Sequence, residues 1–530
     1  PGLGKSIISH LDEIFKTGTS KYLDTILKKV NPAIFPLLEV PGIGPKKAQK
    51  LVEVLKIKDE NKVIEIIKKA AQDHNIAKIE SFGDKSEADI LANIERYKKG
   101  SIKERRMPLP QADAIAEEII SYLGVKTDKL GSLRRGVATI GDIDLAVASS
   151  TPSEVINKFV DFPKKVSLIE KGPTGASILL ASGRQADLRV AKPEQYGAML
   201  QYFTGSKYHN IRLRELALKK HLSLNEYGIS KIKNQKSKIK SFANEEQLYN
   251  FLGLDFVPPE LREDTGEVEA ALRSAQGKPN GLPNLVELKD IKGDLQVHSN
   301  FDLETSHDSG TNTIEEIKNK AEKMKYQYVG ITNHNPKSGS DIFGKIKAQK
   351  SMIEQLNSKT KNTRILSLLE VDILPDGSLP LTQEVLNLLD GCLVSIHSSF
   401  GMDRKNMTER IIKGLSNPVA RILAHPTGRL LDQREGFELD WERLFAFCLE
   451  HNKALEINSH PSRLDLSDTL VREAVKRGVK LSLGTDSHQI EDMINMKYGV
   501  SVARRGWAQS KNIINTWNYD RIYSWLHERR

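Results

Sequence analysis

Nine of the 13 histidines in this 530-residue chain lie beyond residue 290, and most of them close a short apolar run. The runs end in Gln296-Val297-His298, Asn333-His334, Ile396-His397, Ala424-His425-Pro426 and Gly484-Thr485-Asp486-Ser487-His488, with carboxylates in Leu369-Glu370-Val371-Asp372 and a further pair at His307-Asp308. Apolar runs such as Tyr328-Val329-Gly330-Ile331 alternate with helical patterns. That alternation predicts β/α units around a mostly parallel sheet, which carries its chemistry where strands end. A single strand-end histidine is usually a hydrogen-bonded structural residue. Five of them (298, 334, 397, 425, 488) with Glu370 and Asp486 point instead to a set of metal ligands. Imidazoles and carboxylates without thiolates suit Zn²⁺, Mn²⁺ or Fe²⁺. The two cysteines, Cys392 and Cys448, are too few for a disulfide framework or a Cys-rich zinc site. Bridged cations generate hydroxide near neutral pH and stabilise a phosphodiester transition state.

The remainder is organised differently. At about 100–200 residues per domain, the chain is too long for one core. Residues 1–130 show helical spacing, as in Ile7, Ile8, Leu11, Ile14 and Phe15, and 130–190 shorten to β-like runs at 143–147 and 177–180. Residues 191–256 combine a helical stretch with a hairpin at 222–229. Residues 257–292, punctuated by Pro258, Pro259, Gly277, Pro279, Gly281 and Pro283, read as a polar linker. Hydrophobic residues make up 39% and charged residues 28%, which excludes collagen-like and wholly disordered chains. No run of about 18 apolar residues and no N-terminal signal is evident, and few cysteines fit a reducing cytoplasm. A net charge of +10 suits a polyanionic partner, which nucleic-acid and membrane-surface proteins share.

Two glycine turns open helices, Pro1-Gly2-Leu3-Gly4-Lys5-Ser6 and Pro41-Gly42-Ile43-Gly44-Pro45-Lys46-Lys47. Such a turn exposes N–H groups at a positive helix end beside lysines, and holds a phosphate without reading a base. A plain connection using glycine for positive φ is the alternative. The repetition favours helix-hairpin-helix elements. Gly4-Lys5-Ser6 also matches the end of a nucleotide-hydrolase phosphate loop, but no strand precedes it. The chain opens without methionine, as if inside the first hairpin, so a fuller protein is expected to carry about 50–60 residues ahead of it.

Gly131-Ser132-Leu133-Arg134-Arg135-Gly136 leads into Gly141-Asp142-Ile143-Asp144-Leu145. On a strand, Asp142 and Asp144 would share a face about 6–7 Å apart. Carboxylates so placed repel each other unless divalent cations lie between them, which suits two Mg²⁺ or Mn²⁺ ions clamping a phosphoryl transfer. Ser132 and Arg135 could take a polyphosphate tail. Asp187, in another alternating run, would complete the site.

These residues form the nucleotidyltransferase signature. With Tyr202-Phe203-Thr204-Gly205-Ser206 and Leu224-Asn225-Glu226-Tyr227, residues 1–256 resemble the family X DNA polymerases, founded on polymerase beta. The resemblance implies that Asp142 and Asp144 bind both metals, and that Asp187 binds the catalytic one and helps deprotonate the primer 3′-OH. Ser132, Arg135 and Gly141 would hold the incoming dNTP. Tyr202, Phe203 and Gly205 would line its sugar pocket, and Asn210 would touch its base. Arg214, with Gly42, Gly44, Lys46 and Lys47, would contact duplex DNA. Three positions depart from the family pattern: Lys207 where the animal enzymes have Asp, Gln185 for an Arg beside Asp187, and His10 for the Schiff-base lysine of the lyase domain. No lyase activity is expected, Lys5 being an improbable substitute.

Residues beyond 293 resemble the polymerase and histidinol phosphatase (PHP) domain, a distorted (β/α)₇ barrel with two or three metal ions, which bacteria fuse to family X polymerases. The resemblance carries over His298, Asp308, His334, Glu370, His397, His425, Asp486 and His488 as ligands, with Asp302 the alternative to Asp308. Gln296 and Asn333 replace a usual His and Asp, so one metal site is expected to be weak. The implied layout is multidomain, α+β then α/β. It comprises a lyase-like remnant (1–30), a duplex-binding helix-hairpin-helix subdomain (31–105), a palm (106–190), a thumb (191–256), a linker (257–292) and a PHP domain (293–530). The implied function is gap filling on gapped or nicked DNA in repair by a cytoplasmic monomer, with Mn²⁺-dependent 3′–5′ exonuclease activity. A polymerase with an eroded, structural PHP domain, a non-catalytic DNA-end scaffold and template-independent transfer are the alternatives.

Overall fold

The computed structural model describes residues 13, 20, 25, 30–38, 40, 43–60, 62–80, 82–98, 106–232, 239–337, 341–359 and 362–528. Lys5, His10 and Gly42 lie outside them. The chain divides into two units, residues 1–105 and 106–530.

In the first unit, helices Ile34–Leu38, Pro45–Val54, Val63–Gln72 and Asp84–Lys98 follow one another. Leu37, Val40, Leu51, Val52, Ile67, Ile76, Ile90 and Ile94 recur at helical spacing and are buried together.

The second unit begins with seven strands: β1 (Met107–Pro108), β2 (Thr127–Lys129), β3 (Thr139–Ile140), β4 (Ile143–Ala148), β5 (Lys165–Gly172), β6 (Gly175–Leu180) and β7 (Gln185–Ala191). β1 and β3 form a small pair, while the others build one sheet in the order β2-β4-β7-β6-β5. Only β4 and β7 within it are parallel. Helices Leu109–Leu123 and Pro152–Val160 bury apolar faces in the same core as the sheet's inner residues.

Helices Tyr196–Thr204, Lys207–Lys219 and Glu245–Phe251 follow, with a hairpin of β8 (Leu222–Asn225) and β9 (Gly228–Lys231). Of the linker expected at 257–292, residues 257–275 are instead packed into this region, while 276–284 are irregular and mostly exposed. Helix Glu267–Ala275 forms, and Val257, Leu261, Val268 and Ala271 join the same core. Arg262 is fully buried: its Nη1 donates to Glu245 Oε1 at 2.6 Å, and its guanidinium lies 5.2 Å from the Tyr249 ring centroid. Gly277, Pro279, Gly281 and Pro283 fall in the irregular part, whereas the packed part holds its buried ion pair.

Beyond 293, β10 (Gly293–Val297), β11 (Tyr328–Ile331) and β12 (Arg364–Ser367) are parallel neighbours. So are β13 (Glu370–Asp372), β14 (Cys392–Ser395), β15 (Ala420–Leu423), β16 (Ala454–Asn458) and β17 (Lys480–Gly484). β12 and β13 are separated by only two residues. Parallel bridges His334–Glu370 and Val297–Ser487 join the two sheets at both ends, so the strand order returns to its start. These strands are buried on both faces, and polar Asp294, Gln296, Glu456 and Asn458 are buried with the apolar residues. Among the described residues no helix is long and apolar enough to cross a membrane.

Candidate active sites

Asp144 and Asp187 are direct register partners across the parallel β4–β7 pair. The sequence pattern places Asp142 on the same strand as Asp144, but Asp142 stands in the bend immediately ahead of β4. Burial, then Asp187 and then Asp142 push the Asp144 carboxyl up to about 7, although Arg189 and Arg135 pull the other way. Gly131 is required here. Its φ is +56°, and a Cβ would sit 2.2 Å from Asp144 Oδ2. Asp187 is nearly buried, accepts from Ser177 Oγ, and takes bonds from Gln185 Nε2 on both oxygens at 3.1 and 3.0 Å. Gln185 therefore orients the carboxylate without bringing a positive charge.

Arg135 caps the short helix Gly131–Arg134 that carries Ser132. Its Nε donates to Glu263 Oε1 at 2.9 Å and its Nη1 to the Thr204 carbonyl at 2.5 Å. Gly141 precedes Asp142, and a Cβ there would meet Arg106 Nη1 at 3.4 Å. Tyr202 and Phe203 end helix Tyr196–Thr204 edge to face, 5.0 Å apart. Asn210 Nδ2 donates to the Tyr202 carbonyl at 2.7 Å, and the Arg214 guanidinium lies 5.2 Å from the Tyr202 ring centroid. A Cβ on Gly205, which closes that helix at φ +67°, would meet Arg135 Nη1 at 3.2 Å. Lys207 is exposed, 6.0 Å from the Tyr208 ring centroid.

In the first unit, Gly44 is the N-cap of helix Pro45–Val54, and Lys46 and Lys47 are exposed on its first turn. Gly44 has φ −79° and ψ 171°, and a Cβ there meets nothing within 4 Å. Neither backbone conformation nor internal packing requires glycine at this position.

The strand ends beyond 293 bring all eight sequence-selected residues together. Glu370 is central: His425 Nε2 lies 2.8 Å from its Oε1, His397 Nε2 3.3 Å from the same atom, and His298 Nε2 3.4 Å and His334 Nδ1 3.8 Å from Oε2. Asp486 Oδ1 faces His298 Nε2 at 3.1 Å. Asp308 lies 3.4 Å from His334 Nε2 and 3.3 Å from His488 Nε2, whereas exposed Asp302 only caps its own turn at Glu304 N. Burial would raise the Glu370 carboxyl, but four imidazoles hold it well below its usual range. Burial lowers His298 and His397, yet the carboxylates win and raise them to about 9 and about 10. His425 and Asp486 are held at φ +29° and +53°, a sparsely populated backbone region that recurs at functional sites.

The donor set fits divalent cations. Nδ1 of His298, His334 and His425 is buried with no hydrogen-bond partner, which is costly unless a ligand completes it. His298/His334/His488, His334/Glu370/His397 and His298/Glu370/Asp486 each gather ligand atoms within 4.8 Å of one another. The two departures are occupied internally. Gln296 Nε2 donates to Glu370 Oε2 at 2.8 Å, and Asn333 turns to Ser299, accepting from its N–H at 2.6 Å. Sequence reasoning left Asp372 out of the ligand set. Its Oδ1 is 2.7 Å from His397 Nδ1, leaving Nε2 aimed at Glu370, and His307 Nε2 lies 3.1 Å from Oδ2. The spacing of Glu370 and Asp372, two apart on one strand face, was the available signal. Arg463, 3.4 Å from Asp486 Oδ2, carried none.

The family model for the DNA polymerase beta thumb matches residues 199–263. The chain is 36% identical over 524 residues to the DNA polymerase/3′-5′ exonuclease PolX of Bacillus subtilis (strain 168), covering 97% of this chain and 88% of that protein. The chain belongs to the PolX-type family X DNA polymerases. A probable phosphatase of Thermoanaerobacter sp. (strain X514) is 26% identical over 232 residues, 41% of this chain and 89% of its own length. DNA polymerase lambda of Arabidopsis thaliana is 26% identical over 294 residues, 49% of this chain and 52% of its own. The chain thus aligns both with DNA polymerases and with a probable phosphatase.

Proposed function

We propose that the chain is a DNA-directed DNA polymerase that fills short gaps during repair, with a C-terminal PHP barrel of (β/α)₇ type that trims 3′ ends as a 3′–5′ exonuclease. The observation that carries the polymerase reading is the facing pair Asp144 and Asp187, with Asp142 beside them, in a site that raises a carboxyl to about 7 without cations. Two Mg²⁺ or Mn²⁺ ions, when held by these three carboxylates, would neutralise them and stabilise charge on the transferring phosphoryl group. Asp187, fixed by Ser177 and Gln185, accepts the proton of the primer 3′-OH as it attacks the α-phosphate in line, and pyrophosphate leaves. Ser132, Arg135 and the Gly141 backbone bind the triphosphate. Tyr202, Phe203 and Gly205 hold the sugar, and Asn210 and Arg214 read the minor-groove edge of the new pair. Gly42, Gly44, Lys46 and Lys47, in the first unit, contact the duplex backbone.

In the PHP part, His298, Asp308, His334, Glu370, His397, His425, Asp486 and His488 would hold two or three Mn²⁺, Zn²⁺ or Fe²⁺ ions, which supply an activated water and Lewis-acid stabilisation. Asp372 keeps His397 in the required tautomer. The internal bonds of Gln296 and Asn333 favour a second reading, in which the PHP part is structural.

Incubating the protein with labelled gapped duplex bearing a 5′-phosphate, Mn²⁺ and dNTPs should lengthen the primer. Omitting dNTPs should shorten it. Extension that survives Asp142→Ala sinks the polymerase reading. Absence of shortening in metal-replete protein selects the structural PHP reading.

A further inference from the structure

We propose that Arg505, on the helix Met496–Arg505 beyond β17, is a positioning residue for dNTP binding in the polymerase site. The proposal rests on the assignment of Arg135 to the triphosphate. Arg505 Nη1 donates to the Arg135 carbonyl and to Glu263 Oε1, each at 2.9 Å. The same Glu263 oxygen accepts from Arg135 Nε at 2.9 Å. Arg505 Nε and Nη2 are held by Asp468 Oδ2 at 2.8 and 2.7 Å. One arginine from the PHP side thus grips both the backbone of Arg135 and the carboxylate that fixes its side chain.

The contact is built into the fold. Gly136 has φ +66°, and a Cβ there would lie 2.0 Å from Ser501 Oγ on the helix, so only glycine lets the helix approach this closely. Two turns away, Lys497 Nζ and Tyr498 Oη reach Asp113 of the palm at 2.8 and 3.0 Å. The side chain of Arg505 is only 8% exposed and that of Arg135 13%.

The charges give the direction. Arg135 and Arg505 face Glu263 and Asp468, and the four sum to zero. Removing Arg505 leaves this cluster with a net negative charge beside the place where a triphosphate docks, and lets Glu263 pair with Arg135 alone. Binding of the triphosphate weakens, while Asp144 and Asp187 are untouched. The expected signature is a higher KM for dNTP at unchanged kcat.

Steady-state single-nucleotide gap filling tests this on the full chain. Arg505→Ala should raise the KM for dNTP about tenfold, with kcat and affinity for gapped DNA within about twofold and metal-dependent 3′ shortening intact. Arg505→Lys, which restores the charge without the fork, should raise it about threefold. If the alanine variant does not fold, the lysine variant gives the same test. An unchanged KM in the folded variant, or a fall in kcat alone, overturns the proposal. Arg135→Ala is the reference. If it raises KM while Arg505→Ala does not, only the role of Arg505 fails. If it too leaves KM unaltered, the triphosphate assignment fails and takes this proposal with it.

Discussion

The two clusters are opposites in how they handle charge. On β4 and β7, Asp144 faces Asp187 with Asp142 beside them, and burial and these carboxylates push Asp144 up to about 7 against the pull of Arg189 and Arg135. In the C-terminal part, Glu370 lies among four imidazoles and is held well below its usual range, while His298 and His397 rise to about 9 and about 10. One site is electrically unfinished until cations arrive. The other is held together by its own ion pairs, which cations must displace. The difference teaches that carboxylate repulsion and carboxylate–imidazole pairing give two acidic clusters different sensitivities to pH.

The largest expected effect separates the sites. Asp187→Asn should reduce primer extension roughly 10³-fold or more while 3′ shortening persists, measured on the same labelled duplex. Loss of both activities would mean that the clusters are not independent. Next, Glu370→Gln should reduce 3′ shortening roughly 10²-fold and lower bound metal by elemental analysis, with extension preserved.

pH separates them more finely. Folded metal-free protein keeps a proton on Asp144 between about pH 4 and 7, where the unfolded chain has lost it, so stability from this group declines as pH rises through that window. The raised His298 and His397 act in a higher window. Their pairing is fully present below about 6.5 and is lost as pH rises toward 9 to 10. Thermal melts of metal-free protein should therefore show two slopes. Asp144→Asn should flatten the lower in part, because buried Asp294 is also raised to about 7, and Glu370→Gln should flatten the upper in part, because Asp486 and Asp372 still hold His298 and His397. Binding of Mg²⁺ to the palm should weaken by up to about tenfold per unit below pH 7. Slopes that neither substitution changes break the comparison. The smallest effect is expected for Gln296→His, which restores an imidazole and should slow Mn²⁺ loss to a chelator several-fold, by about tenfold at most.

Much of this was legible along the chain. The apolar run carrying Asp144, the second one carrying Asp187 and the strand-end histidines all lie in local patterns, because period and charge are properties of neighbouring residues. The packing of residues 257–275 was not legible. It buries Val257, Leu261 and Val268 around an Arg262–Glu245 pair 17 residues apart, and no local pattern announces such a pair. Asp372 was visible as a residue but not as a partner of His397, since only strand pairing brings them within 2.7 Å.

The sequence by itself determined which side chains are present to do chemistry, and that they form an acidic set and an imidazole-rich set on different parts of the chain. Only the tertiary structure decided which of them touch. It put Asp144 opposite Asp187 through the parallel register of β4 and β7, gathered four histidines on Glu370, and brought Arg505 to Arg135 across 370 residues of chain. The physical reason is range. Propensity and periodicity act over a few residues, whereas desolvation, Coulomb pairing and ligand geometry act through space on groups that the folded chain brings together.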